Sequence, residues 1–308
     1  MDRALANHAA TKVWQYPIIA VVQRAAGWPA VLLFFAVLGG FVLALLLAIF
    51  GLGGMPHVTD EVAYTLQSRL FAGGMRVGPA ADNASMLVYP FWVTSPVSYA
   101  AFPMGWPLLL AVGERLGLPW MINPLLHLVA SLLVWGLARE WLKEEEAVVA
   151  GAIAALSPGV VLLGATRMSQ TSVLVAMGVV ALVLVRQRDK AWAFWAAGAA
   201  VAYLVLARPF EALWFGLPCL VYGVVRASCL SRRVGLVLLP LLAALVVARD
   251  NLALTGSALV FPIGPFFDSW GADLGWPPGC NQLGFGPDIG CAPTLGSFGH
   301  DLGKALQL

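Results

Sequence analysis

The sequence predicts an all-α integral membrane protein of about seven transmembrane helices, with a first extracytoplasmic loop that carries two further helices. Three observations predict it. Hydrophobic residues make up 60% of the 308 residues and charged residues only 11%, with a mean hydropathy of +0.83, whereas soluble domains carry about 25% charge. Apolar runs recur at roughly the ~20 residues that a helix needs to cross a bilayer. The basic residues are spread along the chain and divide unevenly between alternate connections, which gives them topological value. A net charge of +2 is too small to indicate a nucleic-acid partner.

Residues 1–27 form a mixed, weakly basic segment (Arg3, Lys12, Arg24). The apolar run Trp28–Leu52 exceeds the roughly 7–15 residues of a signal-peptide core, and no clean small-x-small cleavage site follows it, so it reads as a retained first span. Spans are predicted near 28–51, 121–141, 147–165, 170–187, 190–207, 210–226 and 233–249. With the N-terminus inside, eleven basic residues lie on the cytoplasmic side and seven outside. The short connections Arg186–Lys190 and Arg226–Arg233 make that case more strongly than the total does. The membrane domain 28–249 then carries its first loop, 52–120, and the final segment, 250–308, on one extracytoplasmic face.

The first loop is more than a linker. From Asp60, the positions Val62, Leu66 and Leu70, flanked by Ala63 and Phe71, recur at helical spacing until Gly73-Gly74 stops them. This predicts an amphipathic helix lying along the membrane surface. The Pro- and aromatic-rich stretches Tyr89–Pro96 and Ala101–Pro107 suit an interface, and a short apolar helix carrying Glu114-Arg115 is expected near 107–117. The final segment is rich in Gly, Pro and aromatics. It ends in Gly299–Leu308, which reads as the approach to another helix and so as a chain cut short.

Within this frame Asp60-Glu61 stands out. Only 16 residues are acidic, and two adjacent carboxylates beside a bilayer mark a functional site by default. A capping role for Thr59 or Asp60, with Glu61 favoured by the helix dipole, is the structural alternative. Four cysteines lie at 219, 229, 280 and 291, without CxxC or Cys/His metal spacing. The Cys280–Cys291 spacing permits a disulfide.

Asp60-Glu61-x-x-Tyr64 after a first span, followed by Phe102–Leu110, Ala207-Arg-Pro-Phe-Glu-Ala212, Asn251-x-x-x-Thr-Gly256 and Leu283-Gly-Phe-Gly286, resembles the GT-C glycosyltransferases. The resemblance is strongest to bacterial members related to protein O-mannosyltransferases and aminoarabinose transferases. It spans roughly residues 28–300 and rests on the order of the motifs, since Arg-Pro or Gly-Phe-Gly alone is weak. It implies a multi-pass enzyme of the bacterial plasma membrane, of the inverting type. Such an enzyme moves a hexose or pentose from a polyprenyl-phosphate donor to a lipid, glycan or protein acceptor on the extracytoplasmic side. Family members usually run well beyond 308 residues.

Under that resemblance Asp60 is the candidate general base, taking the acceptor hydroxyl's proton, with its pKa raised by burial and by Glu61. Glu61 would tune Asp60, bind the acceptor or help hold an ion. Tyr64, four residues on and on the same helix face, would orient the carboxylate or contact the sugar. Arg208 is the best candidate for the leaving phosphate, because its planar fork suits phosphate, with Glu211 as its neighbour and Arg167 second. Snorkelling to headgroups is the alternative for both arginines. His57 and Trp106 are further candidate substrate contacts. Trp270 and Trp276 would stack on sugar or isoprenoid, or seat the last loop. His127, inside a span near Asn123, reads as an interhelical hydrogen-bonding residue. A divalent metal is left open by the resemblance, and two carboxylates alone do not make such a site. A transporter fits poorly, for lack of an internal repeat and of ionisable residues within the spans. A non-catalytic protein that binds lipid-linked sugar is the other competing reading.

Overall fold

A computed structural model describes residues 17–80, 90–186 and 190–267. Among these residues eleven helices carry the fold: α1 (Pro17–Leu46, continuing as a wide π turn to Gly51), α2 (Thr59–Ala72), α3 (Gly105–Arg115), α4 (Ile122–Ala138), α5 (Glu144–Leu156), α6 (Pro158–Ala165), α7 (Gln170–Arg186), α8 (Ala191–Ala207), α9 (Pro209–Glu211), α10 (Leu217–Arg226) and α11 (Leu230–Thr255). A two-residue hairpin, β1 (Trp92–Val93) with β2 (Tyr99–Ala100), sits in the first loop, Trp92 opposite Ala100.

All seven predicted spans are helical, but not all are single long helices. Three stretches are long and apolar enough to cross a bilayer: Gly27–Gly51, Pro119–Ala138 and Leu230–Thr255. A fourth results if α5 and α6, bent by 50° at Ser157-Pro158, count as one. α7 and α8 are apolar but only 17 residues each, short of the ~20 a perpendicular crossing takes. The interval 210–226 is split into α9, a π segment (Ala212–Gly216) and α10. Pro218 explains the split, because it has no N–H to give the carbonyl four residues back. α1 breaks at Gly27, whose φ of 72° lies outside the helical region, so the apolar span begins where the sequence placed it.

The bundle has two packing centres. α1, α4 and α5 meet around Leu33, Val37, Val148 and Ala155. α8 lies against α11, and beside them Phe194, Ala197 and Leu236 form a second core. The α8–α11 crossing is close because Gly198 leaves room for the backbone of α11: a Cβ there would stand 2.0 Å from the Gly235 carbonyl oxygen. His127 is fully buried and its Nε2 lies 2.9 Å from the Ala155 carbonyl oxygen, the interhelical role expected of it. Large apolar side chains point outward all round, among them Phe35, Leu43 and Phe50 on α1 and Leu241 and Leu245 on α11. A soluble core would hide them; a lipid-facing surface does not.

The first loop forms the ordered two-helix platform, with one reversal. α2 turns its polar side inward: Glu61, Thr65, Gln67 and Ser68 are buried with Ala63 and Tyr64. Val62, Leu66 and Leu70 are left half-buried. Gln67 stitches the loop together, donating to the Arg76 carbonyl at 2.9 Å and accepting from the Ala100 N–H at 2.8 Å. Arg115 caps the C-terminus of α2 through the Ala72 carbonyl, as cations at a helix C-terminus do.

α11 also overruns its predicted end at 249, continuing to Thr255 before Gly256 closes it in the left-handed conformation (φ 76°). The extension carries Asp250 to Arg76, which grips it with both Nε and Nη2. Phe91 stacks on Phe102, Phe266 and Phe267, joining the first loop to the start of the last segment. Cys280, Cys291, Trp270, Trp276 and the Leu283–Gly286 motif lie outside the described residues; Cys219 and Cys229 are free thiols.

Gly198→Val puts a side chain into the α11 backbone and should lower stability by roughly 2–3 kcal/mol. Gly159→Ala, whose Cβ meets nothing within 4 Å, should leave it unchanged or slightly higher. Thermal unfolding in detergent, both variants side by side, reads the difference.

Candidate active site

The turn between α6 and α7, Thr166–Ser169, is where the platform meets the bundle. Asn123 of α4 holds it from below, its Nδ2 donating to the Thr166 and Met168 carbonyls at 2.6 and 2.7 Å. From α3, the indole N–H of Trp106 donates to the Arg167 carbonyl at 2.8 Å. From α2, Glu61 Oε1 accepts the Arg167 backbone N–H at 2.8 Å. The other oxygen of Glu61 takes the N–H groups of His57 (2.6 Å) and Val58 (3.4 Å). Those donors open α2 and have no partner within the helix. The N-cap is therefore Val58, and Glu61 reaches back as the acidic half of a capping box does; neither Thr59 nor Asp60 caps the helix.

Arg167 does not snorkel outward. The residue is 7% exposed and its side chain turns into the platform, donating to Thr65 Oγ1 at 3.1 Å and to the Gly54 carbonyl, with Glu114 at 3.7 Å. Trp106 is fully buried among Tyr64, Leu110 and Ala207, so it presents no surface on which a sugar could stack. His57 is exposed, with Nε2 2.8 Å from the Leu52 carbonyl at the end of the first span.

These contacts leave Asp60 with a different task from Glu61. Asp60 is in the first turn of α2 and half-buried, with Thr59 Oγ1 donating to its Oδ1 at 3.4 Å. Burial pushes its carboxyl above the usual range, against the Thr59 hydroxyl and the charge of Arg208; Glu61 adds the smallest contribution. Of the two causes expected for the rise, burial and the neighbouring Glu61, burial is the main one. One turn on, Tyr64 is buried and its ring packs on Phe102, centroids 4.7 Å apart. Burial also raises the Tyr64 phenol, countered by neighbouring Ser169 and Arg208. The buried Ser169 hydroxyl makes no hydrogen bond of ordinary geometry, though it lies close enough to bear on that phenol.

Arg208 arrives at this cluster through backbone geometry. Gly105, opening α3, packs so closely on α8 that a Cβ would lie 2.6 Å from the Ala207 nitrogen. At Arg208 the chain leaves the helix (φ −146°, ψ 78°), and Pro209 starts the next one. Arg208 Nε donates to Glu211 Oε1 at 2.6 Å, both side chains partly exposed. Asp60, Tyr64, Arg208 and Glu211 thus come together at one end of the bundle, while Glu61, Arg167 and Trp106 are held in the scaffold beneath them. Among the described residues no group of three or more His, Cys, Asp or Glu is placed to hold a metal. Both oxygens of Glu61 already accept backbone N–H groups.

Sequence reading did not find Asn123 as the clamp of the turn, nor Thr65, Gln67 or Ser169, nor the Arg76–Asp250 pair. A buried polar residue in an apolar helix was the available signal for Asn123. Arg76 and Asp250 are 174 residues apart, and no local pattern joins them.

The fold is that of a multi-pass membrane protein with an acidic and basic cluster at the mouth of its helices. Residues 118–250, from the start of α4 into α11, match the family model described as dolichyl-phosphate-mannose-protein mannosyltransferase. The GT-C resemblance is borne out over that segment, and it implies, in general terms, a glycosyltransferase that uses a polyprenyl-phosphate-linked sugar. The matched segment includes Arg167, Arg208 and Glu211 but not the loop that carries Asp60. No curated protein and no solved structure matches the chain.

The two carboxylates should part company on mutation. Glu61→Ala strips an acceptor from three backbone N–H groups and should cost roughly 2–4 kcal/mol. Asp60→Asn should instead stabilise the protein at pH 7. The folded-state pKa of Asp60 lies above its unfolded value, so ionisation in the folded state carries a cost that grows as pH rises through that pKa. Below about pH 4 the carboxyl is neutral and the advantage of Asn should vanish. Unfolding midpoints of both variants from pH 3 to 7 test this.

Proposed function

We propose that the chain is an inverting GT-C-type glycosyltransferase of the bacterial plasma membrane. It moves a hexose or pentose from a polyprenyl-phosphate donor to a lipid, glycan or protein acceptor on the extracytoplasmic face. The proposal includes seven crossings with the N-terminus inside, the shorter α7 and α8 and the segmented α9–α10 stretch crossing alongside the long helices. The observation that carries it is the partly buried Asp60 carboxyl, within electrostatic reach of Arg208, on a scaffold that matches the mannosyltransferase family over α4–α11.

In this reading Asp60 accepts the proton of the acceptor hydroxyl as that oxygen attacks the anomeric carbon. The bond from that carbon to the donor's phosphate oxygen breaks, and the polyprenyl phosphate leaves with the electron pair. Arg208 offsets the charge gained by the phosphate, and Glu211 fixes the orientation of its guanidinium. Tyr64 supports Asp60 from the same helix face, its phenol neutral and able to donate. Glu61, Arg167, Trp106 and His57 serve the reaction by holding α2 and the α6–α7 turn in register. Desolvation of Asp60 makes it a stronger base than a solvated aspartate, which suits proton abstraction.

A second reading is supported by one fact: the family match stops short of the loop with Asp60. A protein that binds the lipid-linked sugar without transferring it would keep Arg208 and make no use of Asp60. Incubating the purified chain with a radiolabelled polyprenyl-phosphate sugar and a mixed acceptor pool separates the two. Transfer that falls by about 10²–10⁴ in Asp60→Asn, with donor binding intact, supports the enzyme; binding without transfer in the parent protein supports the binder. Arg208→Ala should weaken donor binding about tenfold or more, and unchanged affinity would remove Arg208 from the donor site.

A further inference from the structure

One carboxylate stands between two guanidinium groups where the platform meets the α6–α7 turn. Glu114 lies near the C-terminal end of α3. Its Oε2 is 3.7 Å from Nε of Arg69 on α2, and its Oε1 is 3.7 Å from Nη1 of Arg167 in the turn. The two arginines differ in their need of it. The Arg69 side chain is 64% exposed, and an ion pair in water contributes little. The Arg167 side chain is 8% exposed, and a buried guanidinium has to be answered by an opposite charge inside the protein.

The hydrogen bonds of the Arg167 side chain go to neutral acceptors, Thr65 Oγ1 and the Gly54 carbonyl. Glu61 spends both its oxygens on backbone N–H groups. Among the described residues Glu114 is the one carboxylate within ion-pairing distance of the Arg167 guanidinium. Burial lowers the Arg167 pKa, and Glu114 is the foremost influence raising it, ahead of Glu61. Glu114 Oε1 and Arg167 Nε are both buried without a hydrogen bond, so the two groups attract as charges rather than through a shared proton. The backbone on either side holds Glu114 in place. Gly113 packs so tightly on the turn into α4 that a Cβ would stand 2.8 Å from Pro119 Cα and from Ile122 Cγ1. Arg115 donates to the Ala72 and Phe71 carbonyls at the end of α2.

We infer that Glu114 is a positioning residue: its charge keeps Arg167 seated in the platform, and through Arg167 and Glu61 it holds Asp60 at the mouth of the helices. The link is continuous. Arg167 gives its backbone N–H to Glu61, the neighbour of Asp60, and its side chain to Thr65 one turn further along α2. A guanidinium left without its counter-charge would turn toward water and take the Thr65 and Gly54 contacts with it. The effect on transfer rests on the transferase reading above; the positioning itself does not.

Glu114→Gln keeps the shape of the side chain and removes its charge. Hydrogen exchange of the full chain in detergent, read by mass spectrometry, should quicken about tenfold at 57–62 and 166–169. Exchange in α8 and α11 should stay as in the parent. Arg69→Gln, which removes only the exposed partner, should exchange like the parent throughout. In an Arg167→Met background, adding Glu114→Gln should barely move the unfolding midpoint, because the charge it answers is gone. Glu114→Asp keeps the charge at a greater distance and should exchange at an intermediate rate. It carries the test if the neutral variant does not fold, and equal loosening in both would overturn the role of the charge. Unchanged exchange in Glu114→Gln, or a rise throughout the chain, would overturn the positioning. An equal loss of midpoint with and without the Arg167 charge would overturn the pairing. For transfer, Glu114→Gln should lower kcat about tenfold or more while donor affinity, which is assigned to Arg208, holds. Loosened exchange with an unchanged kcat would overturn the dependence of Asp60 on Glu114. A parent chain without transfer would end the transferase reading and leave the exchange result to decide the positioning.

Discussion

The Glu61 carboxylate is the contact on which the arrangement depends. A buried carboxylate is costly unless its oxygens are satisfied, and here backbone donors from two distant parts of the chain satisfy them. His57 and Val58 bring the start of α2; Arg167 brings the turn 106 residues later. One side chain therefore both opens the platform helix and bolts it to the bundle. Trp106 and Asn123 grip the same turn from α3 and α4, so three elements share one fixed point. Asp60 is rigidly presented because its neighbour is not free to move.

That division of labour between adjacent carboxylates is the main chemical result. Side by side in sequence, they suggest a pair acting as a pair. A helix rotates successive residues by about 100°, so the two face different surroundings. Glu61 meets a turn full of N–H groups, and Asp60 meets the mouth of the helices where Tyr64 and Arg208 converge. The rise in the Asp60 pKa comes mainly from the apolar and helical material packed about it, and only slightly from Glu61.

The legible parts of this protein were those written in local pattern. Helix positions follow from apolar length, α2 from its spacing and its terminal glycines, and the acidic pair at the head of α2 from the scarcity of charge around it. What was hidden depends on which face a helix turns inward. The apolar stripe of α2 led toward lipid, whereas its polar stripe is the packed one, since the platform is held by hydrogen bonds through Gln67 and Glu61. Trp106 read as a substrate contact in an interface-rich stretch because composition cannot say whether an indole faces solvent or core. The breaks at Pro158 and Pro218 were visible as residues, but span counting passed over them because hydropathy averages across a bend.

The grip of Arg76 on Asp250 has a consequence for how the protein is made. The partners are 174 residues apart, so at ribosomal rates of ~5–20 residues per second the arginine waits on the order of 10–35 s for its carboxylate. Through that interval the platform already has Glu61 and Gln67 to order it, but its outer edge has no anchor to the bundle. α11 therefore ties down the outer edge of the platform only after the helices before it have been made, and the edge that Arg76 holds is set later than the local bonds of Gln67.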